Sequence, residues 1–191
     1  MARDNNFKMT EGAKKVFEGV IFDMYQWEQM LYDGSMATFE KLARDDTVVI
    51  LPVTDQGKII LLDQEQPDLA RFLSLPGGRI DEGEDTLEAA KREMLEETGY
   101  ASDNWELWFD YLPTAKIDWK VNVYIARNCR KVAEQKGDAG EKFYGLKEVD
   151  FEEFFQFAID YKDESPMTTR LLRMKLDGKI EEFKSALLIG S

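Results

Sequence analysis

The sequence predicts an α+β fold, and three observations predict it. Short strand-like runs separated by turn residues fill most of the chain, one amphipathic helical stretch stands in the middle near residues 85–98, and further helical stretches gather towards the end. At 191 residues, with 43% hydrophobic and 33% charged residues, the chain is long enough for one sizeable core plus a small subdomain.

Each element has its own signal. Residues 1–15 are polar and are expected to be loosely ordered. Val16 to Leu31 is rich in aromatics and reads as a strand or strand pair. Asp33-Gly34 is a turn signal and Met36 to Arg44 a returning strand, so residues 1–44 form a β-hairpin extension ahead of the main domain at 45–191. Val48–Val53 and Lys58–Gln64 flank Asp55-Gln56-Gly57 as a second hairpin. Phe72–Leu75 leads into Pro76-Gly77-Gly78. Glu84-Asp85-Thr86 then opens a helix, because acidic residues suit the positive end of the helix dipole. Leu87, Ala90 and Met94 share one apolar face, and Gly99 stops the helix. Strands follow at Trp105–Leu112 and Trp119–Arg127, a polar loop at Arg130–Gly140, and a short strand at Glu141–Leu146. Asp150–Asp160 reads as a helix with Phe151, Phe154 and Phe155 on its core side. Ser165-Pro166 is an N-cap with proline at the first helical position, starting a helix that runs to about Lys175, and a shorter helix follows Gly178.

The central helix carries the chemistry. Glu93, Glu96 and Glu97 lie three and four residues apart and share a face, where like charges repel. A divalent cation removes that penalty, and an all-oxygen donor set selects Mg²⁺, with Mn²⁺ as a substitute, over zinc. Arg92 stands next to Glu93 and can pair with a carboxylate and fix its rotamer. Gly77 and Gly78, just upstream, allow backbone to approach a metal or a phosphate closely.

Composition narrows the mechanism further. The chain contains no histidine, which excludes Ser-His-Asp and Cys-His machinery and histidine–zinc ligation. Any general base is a carboxylate, a lysine, a tyrosine or a metal-bound hydroxide. Cys129 is the one cysteine and reads as a buried, inert thiol, so no intramolecular disulfide forms and a reducing, cytoplasmic location is expected. The first residues hold no signal-like apolar stretch, and the longest apolar runs, such as Val48–Val53, are too short to cross a membrane. A net charge of −13 disfavours non-specific nucleic-acid binding, so an anionic small molecule must be drawn in by cations placed locally.

Residues 78–100 fit the pattern G-x5-E-x7-R-E-U-x-E-E-x-G-U, where U is apolar or aromatic, through Gly78, Glu84, Arg92, Glu93, Met94, Glu96, Glu97, Gly99 and Tyr100. In this the chain resembles the Nudix hydrolases, which cleave a nucleoside diphosphate linked to another group. The resemblance implies a mixed sheet between helices and metal ligation by Glu93, Glu96, Glu97 and the carbonyl of Gly77. The N-terminal hairpin, the run from Gly57 to Pro67 with its glutamine, and Pro113 after the box resemble the ADP-ribose and nucleoside-diphosphate-sugar pyrophosphatase branch. That branch implies a homodimer built through the extension and a nucleotide substrate.

The same resemblance implies further site residues. Gln66 stands where the branch carries an arginine, which leaves Arg71 as the substitute phosphate contact, with Gly78 and Arg79 at the start of the 78–100 pattern as further substrate contacts. Phe39 or Trp27 would stack the base, or else pack in the core or the dimer. Glu141 best matches the loop glutamate that completes such sites, with Glu134 and Asp138 as alternates. Two rival readings are a house-cleaning nucleoside triphosphate pyrophosphatase and a non-catalytic nucleotide-sensing module.

Overall fold

The computed structural model describes residues 9–67, 69–136, 140, 142–160 and 165–188. Glu141, Asp138 and the first residues of the polar N-terminus lie outside them. The aromatic-rich start resolves into β1 (Lys14–Phe17), β2 (Asp23–Met30) and β3 (Met36–Ala43). Strands β2 and β3 pair in unbroken register from Asp23–Ala43 to Met30–Met36. Their turn is set by local chemistry: Asp33 accepts from the Ser35 backbone N–H at 2.9 Å, and Gly34 takes φ +84°.

Eight strands make the second sheet: β4 (Thr47–Thr54), β5 (Ile59–Gln66), β6 (Leu69–Ser74), β7 (Gly77–Arg79), β8 (Tyr100–Ala101), β9 (Asn104–Tyr111), β11 (Val121–Lys131) and β12 (Lys142–Val149). The remaining strand, β10 (Ile117–Asp118), pairs in parallel with Leu42 and Ala43 of β3. The N-terminal sheet is thus completed by a segment of the downstream chain. The turn expected at 55–57 is present, with Gly57 at φ +75°, but β4 and β5 pair only at Val53–Ile59. Each then leaves for other partners: β4 runs parallel to β11, and β5 lies between β12 and β6. Strand β6 begins at Leu69, earlier than the apolar run suggests, and β11 continues to Lys131, into the stretch expected to be loop.

Burial explains the layering. In β4, Val48 and Ile50 point to one face, while Leu51 and Val53 point to the other. The first face packs on Ala89, Ala90 and Met94 of α1 (Thr86–Thr98). The second packs on Phe151, Phe154, Phe155 and Ala158 of α2 (Phe151–Asp160), with Leu171 of α3 (Pro166–Leu176) and Leu187 of α4 (Ile180–Leu188). The result is an α+β fold with a mixed sheet covered on both faces, the architecture the sequence resemblance implies. Helix α1 starts where Asp85 caps the Leu87 and Glu88 N–H groups and stops at Gly99, φ +73°. Cys129 is buried, and burial pushes its thiol up to about 12, so it stays protonated and inert. Among the described residues no helix is long and apolar enough to cross a membrane.

Candidate active site

Helix periodicity and one antiparallel contact build the site. Strand β7 pairs with β4, Gly77 opposite Val49 and Gly78 opposite Val48, and so brings the two glycines against the acidic face of α1. Glu97 accepts a hydrogen bond from the Gly77 N–H at 2.8 Å. A cavity of about 610 Å³ opens here, and Gly77, Gly78, Arg79, Arg92, Glu93, Glu96 and Glu97 all line it. The side chains that the box spacing puts on one helix face are therefore gathered round one space.

Arg92 organises the carboxylates. Its Nε and Nη2 donate to Glu84 at 3.0 and 2.9 Å, Nη1 donates to Glu93 at 2.8 Å, and Nη2 also donates to the Arg79 carbonyl at 3.0 Å. The Arg92 guanidinium, helped by the Asp81 N–H, holds the Glu84 carboxyl well down, to about 2. Glu93 behaves oppositely: burial raises its pKa above the usual carboxylate range, although Arg92 works against the shift. Glu93 is thus a half-desolvated carboxylate beside a cation on a cavity wall, an arrangement that suits either cation binding or proton acceptance.

The two glycines have different reasons to be glycine. A Cβ on Gly77 would lie 2.3 Å from the Val48 carbonyl oxygen, whereas a Cβ on Gly78 would lie 2.4 Å from the Glu93 carboxylate. We predict that Gly78→Ala leaves the melting temperature nearly unchanged, because a flexible side chain can move aside, yet lowers kcat by about a hundred-fold through misplacement of Glu93. Gly77→Ala must instead open the β7–β4 pairing and should lower the melting temperature. Wild-type kcat in Gly78→Ala would remove the requirement for Glu93 at that position.

Other expected residues are placed elsewhere. Arg71, on β6, forks onto Asp63 at 2.7 and 2.6 Å and lies over the Tyr144 ring at 4.2 Å, away from the cavity lining. Antiparallel pairing of β5 with β6 brings it to that carboxylate. Trp27 and Phe39 face each other across β2 and β3 with ring centroids 6.2 Å apart, in the extension and outside the lining. Glu134 is exposed and pairs with Lys131 at 3.5 Å. Glu141 and Asp138 are not among the described residues. Conversely, Gln64, Phe143, Asp81, Gln135 and Lys136 line the cavity without having been expected there. Of these only Gln64 had a sequence signal, as the glutamine near the end of the Gly57–Pro67 run. Its amide donates to the Ser74 hydroxyl at 2.8 Å.

Comparison with known proteins agrees with this architecture. Residues 43–171 match the family described as the NUDIX domain. The chain belongs to that family, as a Nudix pyrophosphohydrolase. Among its relatives is the ADP-ribose pyrophosphatase of Bacillus subtilis (strain 168), 29% identical over 146 residues, which cover 75% of this chain and 79% of that one. Another is the 8-oxo-dGTP diphosphatase of Haemophilus influenzae, 41% identical over 129 residues, covering 63% of this chain and 83% of that one. A crystal structure of an ADP compounds hydrolase superposes with TM-score 0.66 at 20% identity, covering 88% of this chain and 95% of that one, and shares the fold.

Proposed function

We propose that this protein hydrolyses the pyrophosphate bond of a nucleoside diphosphate joined to a second group, with ADP-ribose as the first substrate to test and AMP and ribose 5-phosphate as its products. The observation that carries the reading is the gathering of Glu93, Glu96, Glu97, Gly77 and Gly78 round one cavity large enough for a diphosphate. The relative named ADP-ribose pyrophosphatase supports the choice of substrate.

The donor chemistry fits a hard divalent cation. The carboxylate residues Asp81, Glu93, Glu96 and Glu97 line this space, and among the described residues no cysteine does. Among the described residues no three or more acidic, cysteine or histidine side chains yet converge as a metal cage. Arg92 draws Glu93 and Glu96 to itself, and the Gly77 N–H holds Glu97, so a cation would compete for oxygens already engaged. Glu93, Glu96 and Glu97, with the Gly77 carbonyl, would hold Mg²⁺ or Mn²⁺, which would supply charge neutralisation on the diphosphate and a more acidic water. The protein's own part is to fix the carboxylates through Arg92, to admit the diphosphate over Gly78, and to accept the water's proton on a carboxylate, either a box glutamate or Glu141.

A panel of nucleotides with Mg²⁺, Mn²⁺ or chelator, with products resolved by chromatography, tests the reading. ADP-ribose should give AMP, and activity should vanish in chelator. Turnover in excess EDTA would remove the metal mechanism. Preference for a nucleoside triphosphate would favour the second reading, a house-cleaning pyrophosphatase, for which the 8-oxo-dGTP diphosphatase relative speaks.

The extension bears on assembly. Phe17, Val20, Ile21, Met30, Tyr32 and Met36 are all exposed on or beside β1–β3. A small sheet with so much apolar surface is expected to be covered, and we propose a homodimer through this face. Light scattering at micromolar concentration should give twice the chain mass of 22.1 kDa. A strictly monomeric mass would contradict the proposal.

A further inference from the structure

The geometry points to Lys136 as a substrate-binding residue that contacts the diphosphate; the inference rests on the pyrophosphatase reading of this cavity. The stretch 132–136 leaves β11 and lies across the C-terminal end of α1. The Gly99 carbonyl accepts from the Val132 and Ala133 N–H groups at 2.9 and 3.1 Å, and the Glu96 carbonyl accepts from the Lys136 N–H at 2.8 Å. The Glu96 carbonyl belongs to the last turn of the helix and Gly99 is its C-cap, so neither carbonyl has a partner within the helix. The contact is close enough that a Cβ on Gly99 would lie 2.2 Å from the Ala133 carbonyl oxygen. The last glycine of the box thus stops α1 and also admits this stretch, which brings Lys136 to the cavity lining.

Charge accounting then singles out the lysine. Three cations line the cavity among the described residues: Arg79, Arg92 and Lys136. Arg92 is engaged by Glu84, Glu93 and Glu96. Arg79 faces Asp81 at 3.3 Å and Asp45 at 3.7 Å. Lys136 is the cation of the three with no carboxylate partner among the described residues. The cavity also holds Asp81, Glu93, Glu96 and Glu97, in a chain of net charge −13. A diphosphate entering that field needs a positive charge not already neutralised, and an exposed lysine ammonium on a backbone-anchored stretch supplies one.

The rival role for Lys136 is purely structural, a positive charge at the negative end of the α1 dipole. Equilibrium binding separates the two. The non-hydrolysable probe is α,β-methylene ADP, titrated by calorimetry into full-length wild type, Lys136→Gln and Lys136→Arg with Mg²⁺ present, with adenosine as the uncharged control. Lys136→Gln should weaken the analogue by about ten- to a hundred-fold, as for loss of a charged hydrogen bond. Lys136→Arg should keep most of the affinity, and KM for ADP-ribose should rise in Lys136→Gln with the Mg²⁺ requirement unchanged. Wild-type affinity for the analogue in Lys136→Gln, with only the melting temperature lowered, would overturn the assignment in favour of the dipole role. A raised Mg²⁺ requirement with unaltered analogue binding would also overturn it. Wild type that turns over ADP-ribose while Lys136→Gln binds normally sinks the lysine contact alone. Wild type that hydrolyses no substrate, but whose analogue binding Lys136→Gln weakens, sinks the pyrophosphatase reading and leaves the phosphate contact standing.

Discussion

Glu97→Gln should lower kcat by about two or more orders of magnitude while the protein keeps its fold. Glu97 lines the cavity one helical turn from Glu93, and it accepts the Gly77 N–H at 2.8 Å. A glutamine carbonyl can accept the same bond, so the link between β7 and α1 survives and the melting temperature should change little. What disappears is a full negative charge at the point where the cavity is expected to hold a cation. The half-saturating Mg²⁺ concentration should therefore rise along with the fall in kcat. Wild-type kcat would remove Glu97 from the cation site, and a large drop in melting temperature would recast it as a structural residue.

Arg92→Ala should damage both stability and activity. The Arg92 side chain is 30% exposed, and its guanidinium serves Glu84, Glu93, Glu96 and the Arg79 carbonyl together. Without it, partly buried carboxylates lose their compensating charge, and the 79–84 loop loses its tie to the helix. We expect the melting temperature to fall by about 4–8 °C, an effect reduced by the partial exposure of the network. Activity should fall by about a hundred-fold, because Glu93 loses the bond that sets its rotamer. Lys cannot fork onto Glu84 through two nitrogens, so Arg92→Lys should recover part of the stability and little of the kcat. Unchanged stability in Arg92→Ala, measured by thermal unfolding, would show that the Glu84 contact is dispensable.

Local periodicity by itself determined the acidic face of α1. Glu93, Glu96 and Glu97 share it because of their spacing, Asp85 and Gly99 bound it through capping, and the neighbouring glycines announce a close approach. The same kind of reasoning located the longer strands and the helix carrying Phe151, Phe154 and Phe155, but not the short strands β7, β8 and β10. Such features depend only on residues a few positions apart. Tertiary structure alone decided which strand pairs with which. Strands β4 and β5 separate after one pair because β4 goes on beside β11 and β5 beside β12, both distant in sequence, and a turn signal at 55–57 cannot encode that. The pairing of β12 with β5 brings Phe143 opposite Gln64 at the cavity, and the pairing of β5 with β6 gives Arg71 to Asp63. The contact of 132–136 with the end of α1 likewise joins residues that no helical or strand period relates, and so Lys136 reads in sequence as one more polar residue of a loop. Side-chain periodicity is written along the chain; register and long-range contact arise only when separate elements compete for the same buried surface, and that competition is settled in three dimensions.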